Sequence, residues 1–299
     1  MSVIQIDHLT KDYGSGKGVF DVSFSIEKGD AYGYLGPNGA GKSTTMRHLM
    51  GFSKPDSGGA LIEGMDCWRQ QEQIKQNVGY LPGEIALPSD MSGLAYLKLI
   101  AKMRRMKSFS YAEDLIKMFE FDADFPIKKM SKGMKQKTAI VATFMHDPDV
   151  ILLDEPTSGL DPLMQDRFIE LVETEKKKGK TILMSSHIFD EVSKVCDRVG
   201  ILKEGYLIQE AAMDDLKHAD IKTFKIELNT DDGFRLLKEH YQNRAEFTPE
   251  KRQMLITLKD AELNELIRQL AGCDVKFISE QKHSLEEYFM RYYGGGNND

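Results

Sequence analysis

Apolar and polar residues alternate from Val3 to Leu9, the period of a strand with one covered face. A second such run, Val22 to Ile26, is followed by the turn residues Lys28, Gly29 and Asp30. Ala31 to Gly36 predicts a short strand running straight into a glycine-rich loop, and Thr44 to Met50 a helix that ends at Gly51. The turn cluster Ser53 to Gly59 separates these from two further strand candidates, ALIEG and NVGYLP. From about Leu87 to Lys137 the spacing becomes helical and rich in Met, Lys and Leu, which predicts an inserted helical subdomain. Val150 to Asp154 and Thr181 to Ser186 are nearly all apolar at their centres, as parallel strands covered on both faces are. A helical segment, Leu163 to Lys178, lies between them, and this βαβ unit points to an α/β fold.

The last third reads differently. TFKIEL, a helical DDGFRLLKEH, a short strand over Ala245 to Thr248, QMLITL, a helical DAELNELIRQLAG and DVKFISE follow in turn. That βαββαβ order suggests a small ferredoxin-like α+β domain. LEEYFMRYY closes it, with Leu285, Tyr288, Phe289 and Tyr292 on one helical face that reads first as packing on its own domain. The expected boundaries are 1–218 for the first domain, with its helical subdomain at about 87–146, then 219–293, and a flexible tail at 294–299.

Composition narrows the class. Of the 299 residues, 41% are hydrophobic and 29% charged, the balance of an ordinary globular protein. The formal net charge of -7 argues against a general nucleic-acid binder, because neutralising phosphates needs an excess of Lys and Arg. Cys67, Cys196 and Cys273 form no C-x-x-C and are odd in number, which speaks against a disulfide framework or zinc site and fits a reducing cytoplasm. The N-terminal residues do not read as a secretory signal, and no run approaches the roughly 20 apolar residues of a membrane helix. A role at a membrane would therefore need another anchor.

Gly36, Pro37, Asn38, Gly39, Ala40, Gly41, Lys42 and Ser43 fit G-x-x-x-x-G-K-[ST] in full, after a strand and before a helix. Glycines let the backbone curl so that successive N–H groups face a phosphate, and the helix adds its positive N-terminal end. Lys42 would reach the β- and γ-phosphates of ATP; the Ser43 hydroxyl would ligate Mg²⁺, with Thr44 as a supporting donor. A dinucleotide site wants G-x-G-x-x-G instead. VILLDEP puts Asp154 and Glu155 at a buried strand's end, where open α/β sheets bind ligands. Asp154 is placed to hold Mg²⁺ and Glu155 to polarise the attacking water, although alone such a pair would read as strand termination. His187 follows TILMSS; a lone His is more often structural, but one βα unit beyond the acidic pair it fits a γ-phosphate sensor.

Over roughly residues 1 to 215 these residues resemble the ATP-binding subunits of ATP-binding-cassette (ABC) transporters. Tyr13 matches the aromatic that stacks on adenine, Gly36 to Thr44 the Walker A loop, and Met130 to Met134 (MSKGM) the LSGGQ signature. Asp154 and Glu155 match Walker B and its catalytic base, Ser158 to Asp161 the D-loop, and His187 the switch histidine. The resemblance implies a P-loop NTPase cassette with a RecA-like core, an N-terminal antiparallel β subdomain and the helical insertion. It also implies a second nucleotide-binding subunit, identical or not, with ATP between the Walker A loop of one and Ser131 and Gly133 of the other. The basic run KKMSKGMKQK beside Ser131 reads otherwise as a solvated helix face.

Two segments depart from the family pattern. Lys132 and Met134 stand where Gly and Gln are usual. In NVGYLPGE, Gly83 stands where a Gln normally helps ligate Mg²⁺ and couples the site to the membrane subunit, so Glu84 is expected to take over the metal contact. The resemblance implies an ATPase on the cytoplasmic face of the cell membrane, held there by a polytopic permease. Its variants look like those of bacterial exporters of drugs or peptides. The competing class is a cassette ATPase in translation, repair or cluster assembly.

Overall fold

In the computed structural model, which describes residues 2–217, 221–242 and 244–281, β1 (Ser2–Asp12) pairs antiparallel with β2 (Gly18–Glu27). β3 (Ala31–Leu35), buried throughout, leads through the glycine-rich loop to α1 (Lys42–Leu49). β4 (Ser57–Ile62), β5 (Met65–Asp66), α2 (Gln71–Asn77) and β6 (Val78–Leu81) follow. The helical insertion is α3 (Gly93–Met103), α4 (Ser110–Met118) and α5 (Lys132–Phe144). Then come β7 (Val150–Asp154), α6 (Pro162–Lys177), β8 (Thr181–Ser186), α7 (Phe189–Val195), β9 (Arg198–Lys203), β10 (Tyr206–Ala212) and α8 (Met213–Lys217).

A four-stranded antiparallel sheet, β2-β1-β4-β5, packs against a six-stranded sheet, β10-β9-β3-β8-β7-β6. In the larger sheet β3, β6, β7, β8 and β9 run parallel, and β10 closes one edge antiparallel to β9. One core serves both sheets. Ile4, Leu9 and Phe24 of the small sheet meet Tyr32, Leu152 and Leu183 of the large one, and the Phe24 and Tyr32 rings stack at 4.9 Å. The alternation of β1 is what turns Ile4 and Ile6 inward while Gln5 and Asp7 stay out.

The helical insertion lies within the expected 87–146. α5 continues past Lys137 to Phe144, where Ala139, Ile140, Val141 and Phe144 are all buried and so show no amphipathic period. α7 and the β9–β10 hairpin did not stand out from periodicity either. Among the described residues no helix is long and apolar enough to cross a membrane.

The chain divides into two compact units, Met1–Met213 and Asp214–Asp299. The second contains β11 (Ile221–Leu228), α9 (Asp231–Tyr241), β12 (Ala245–Thr248), β13 (Gln253–Lys259), α10 (Leu263–Leu270) and β14 (Val275–Gln281). Its sheet order is β12-β13-β11-β14, with every neighbouring pair antiparallel. This is the ferredoxin-like arrangement anticipated from the βαββαβ order. Ile226 and Ile256 pack under Leu237 of α9 and Leu266 of α10. Residues 285–292, with the apolar stripe, and the tail at 294–299 lie outside the described residues.

Candidate active site

The adjacent parallel strands β3, β8, β7 and β6 bring their C-terminal ends to one side of the sheet, the side on which such folds bind ligands. From β3 the chain enters the loop 36–43. Gly41 has φ +107°, and a Cβ there would come within 2.7 Å of the Gly18 carbonyl oxygen, so only glycine serves. The Ala40 carbonyl accepts from the Gly205 N–H at 3.0 Å, which pins the loop to the β9–β10 turn. No side chain caps α1, whose first N–H groups are left for an anion. Pro37, Asn38, Gly39 and Ser43 are exposed and Thr44 is half-buried along this rim, whereas Gly36 and Ala40 are buried.

Lys42 is 5% exposed, and its Nζ donates to the carbonyl oxygens of Gly36 at 2.6 Å and Pro37 at 3.2 Å. It also lies 3.0 Å from Glu155 Oε1, and Glu155 Oε2 lies 2.5 Å from His187 Nδ1. The ends of β3, β7 and β8 are thus joined by one chain of polar contacts. A buried ammonium needs such partners, since removing one leaves an uncompensated charge. Glu155 takes left-handed backbone, φ +48°, held by its N–H donating to Ser185 O at 3.2 Å. A non-glycine residue there stores on the order of 1 kcal/mol of strain. Asp154, 2% exposed, accepts from Ser185 Oγ at 2.5 Å on Oδ1. A Cβ at Gly83 would sit 3.2 Å from Asp154 Oδ2, so the residue standing in place of the usual Gln lies directly against the acid. Glu84 is exposed and makes no hydrogen bond or ion pair among the described residues.

Ser131 and Gly133 lie at the start of α5, against the segment that follows Glu155. Ser131 caps α5, its Oγ accepting from Met134 N at 3.2 Å. Lys132 Nζ donates to Ser158 Oγ at 3.0 Å, and Gln136 Nε2, buried, to Pro156 O at 2.6 Å. A Cβ on Gly133 would lie 3.0 Å from Gly159 O. The signature helix therefore rests on the D-loop of its own chain. Among the described residues no hydrogen bond links Ser131 or Gly133 to Lys42, Glu155 or His187. Tyr13, 54% exposed, has its hydroxyl 3.3 Å from Ser53 Oγ and Lys11 Nζ 5.7 Å from its ring centre.

The ABC transporter family profile matches residues 19–158. The bacitracin transport ATP-binding protein BcrA of Bacillus licheniformis is 31% identical over 302 residues, covering 99% of this chain and 98% of that protein. The chain belongs to the ABC transporter family. Within it the protein is an ATP-binding subunit and an ATPase. The ABC transporter ATP-binding protein NatA of Bacillus subtilis (strain 168) is 39% identical over 211 residues, 68% of this chain and 85% of NatA. A solved ATP-binding subunit of an ABC transporter superposes with a TM-score of 0.66 at 31% identity, covering 72% of this chain and 92% of that one.

One residue of this ABC subunit drew no notice as sequence. Glu191, on α7, is 6% exposed and accepts from Thr157 Oγ1 at 2.5 Å and Ser186 Oγ at 3.1 Å. Burial pushes its carboxyl above the usual carboxylate range, against the pull of those hydroxyls, and the charge of Glu155 adds to the rise. An acid on a short segment after His187 reads as solvated surface. The only signal is that its partners are hydroxyl residues at the strand-end motifs.

Proposed function

We propose that the chain energises an exporter whose membrane-spanning part is a separate polypeptide, and that a second ATP-binding subunit completes its catalytic centre. The Lys42–Glu155–His187 chain of contacts carries this reading. It sets a cation at the phosphate loop, a carboxylate beside it and an imidazole on the carboxylate's far oxygen. Lys42 and the free N–H groups of α1 bind the β- and γ-phosphates. Glu155 accepts the proton of the attacking water, and His187, engaged at Nδ1, keeps Nε2 for the γ-phosphate. Ser43 and Asp154 offer the oxygen donors that Mg²⁺ takes, and Glu84 is a third donor within the segment that touches Asp154. Bound there, Mg²⁺ would neutralise phosphate charge. Tyr13, exposed and aromatic, suits stacking on adenine.

Ser131 and Gly133 are absent from this cluster and sit at an exposed helix N-terminus, which supports their serving the partner subunit's nucleotide. A groove of about 190 Å³ lined by Pro82, Ile85, Leu87, Tyr96 and Ile100 begins at the Gly83 segment and suits a permease contact. That contact would hold the subunit at the cytoplasmic face of the membrane. The relatives' names favour export of drugs, peptides or similar amphipathic compounds: bacitracin transport, linearmycin resistance and Nod factor export. The likeness to the bacitracin protein also extends over nearly the whole chain, including the second unit. Affinity purification in mild detergent tests the class. A polytopic membrane protein should accompany the chain in stoichiometric amount; ribosomes or a repair complex in its place would contradict the proposal.

A further inference from the structure

The contact between Glu155 and His187 joins two loops, the one after β7 and the one after β8. A second bridge joins the loop after β7 to the last residue of β8 through buried groups. Thr157, two residues beyond Glu155, and Ser186, the residue before His187, both donate to the Glu191 carboxylate. Thr157 is 3% exposed and Ser186 1%, so water does not compete for these bonds. The bridge also orients its neighbours. Ser186 donates to Glu191 and so turns a lone pair of its oxygen to the Ile188 N–H, 2.9 Å away. His187 is thereby held on both sides, with Ser186 fixed by the bridge and Ile188 fixed by Ser186.

We infer that Glu191 is a positioning residue for hydrolysis: by tying Thr157 to Ser186 it locks the two loops in the register that keeps His187 against Glu155. It touches neither nucleotide nor water and acts through His187. The inference rests on the reading of Glu155 and His187 as the hydrolytic pair. A carboxylate suits the task because both its oxygens accept, so one side chain holds a hydroxyl from each segment. A glutamine in its place has one accepting oxygen and an NH₂ group that donates, so one hydroxyl must turn round to accept and both bonds lose the carboxylate charge that strengthens them. Small displacements at such a pair are expensive in rate, since about 1 Å of misplacement costs up to roughly a hundredfold.

The test is a double-mutant cycle on the full chain, reading kcat, KM and ATP affinity for Glu191→Gln, His187→Ala and the double variant. Glu191→Gln should lower kcat by about tenfold and change KM and ATP affinity by less than about twofold. In the His187→Ala background it should cost less than about twofold, because the residue it positions is gone. Thr157→Val should copy the Glu191→Gln loss and Thr157→Ser, which keeps the hydroxyl, should restore the rate; this pair decides the matter if Glu191→Gln folds poorly. An unchanged kcat in Glu191→Gln beside a large loss in His187→Ala overturns the inference alone. So does an equal loss from Glu191→Gln with and without His187, which marks a general structural role. Full activity in His187→Ala overturns the hydrolytic pair itself, and the inference with it.

Discussion

Lys42 shows how the site is set residue by residue. Three oxygens surround its Nζ, two from the loop it belongs to and one from Glu155. Lys42→Ala removes the cation that meets the phosphates, and nucleotide affinity measured by calorimetry should fall by about tenfold or more. Unchanged affinity would contradict the phosphate-loop assignment. Gly83 leaves Asp154 without the side chain usual at that place, and Glu84 is the nearest replacement in sequence. Glu84→Ala should raise the Mg²⁺ concentration needed for half-maximal hydrolysis by about tenfold; an intact rate and metal dependence would remove Glu84 from the site. The residues of this cluster were legible because contiguous motifs carry them at fixed places on strand ends. Glu191 was not, since its burial comes from the packing of α7, which no local pattern announces.

At the scale of elements, α5 is the joint. Its first turn docks on the D-loop through Lys132 and Gly133, and Gln136 reaches Pro156 one turn later. Lys132 stands where the family usually has Gly, and its stem lies over Gly159, whose Cβ would meet it at 2.9 Å. Lys132→Ala should lower kcat several-fold with ATP affinity within about twofold, because it loosens the signature without touching the cis phosphate contacts. A fall in affinity as large as in kcat would refute that division. The far end of α5 leads to His146, where burial and the nearby Arg104 cation bring the imidazole down to about 4. The folded protein thus keeps His146 neutral, and the stability this gives is whole above pH 6.5 and lost as pH falls towards 4. His146→Gln should flatten the acid decline in thermal midpoint over that window, by the equivalent of about 3 kcal/mol at most. An unaltered decline would show that other groups set it. α5 was half legible: its charged first turns had a period, and its apolar end did not. β9 and β10 escaped for a related reason: β9 is covered throughout its centre and β10 has no buried residue, so neither shows alternation.

At the scale of the molecule, the proposal assigns one cassette two half-sites, the Lys42–Glu155–His187 cluster and the start of α5. Lys42, Glu155 and His187 form one cluster; Gly133 packs against Gly159, and among the described residues neither Ser131 nor Gly133 is hydrogen-bonded to that cluster. Order along the sequence pointed to the cassette and to the ferredoxin-like order of the second unit. It did not reveal that α5 packs against residues 156–159, because that contact is made between segments distant in sequence. The central claim is that a second subunit brings the two half-sites together over ATP. The most direct measurement is the molar mass of Glu155→Gln by light scattering, with and without ATP and Mg²⁺. This variant should bind ATP, barely hydrolyse it, and pass from monomer to dimer only when ATP is present. A monomer at saturating ATP and high protein concentration would contradict the account.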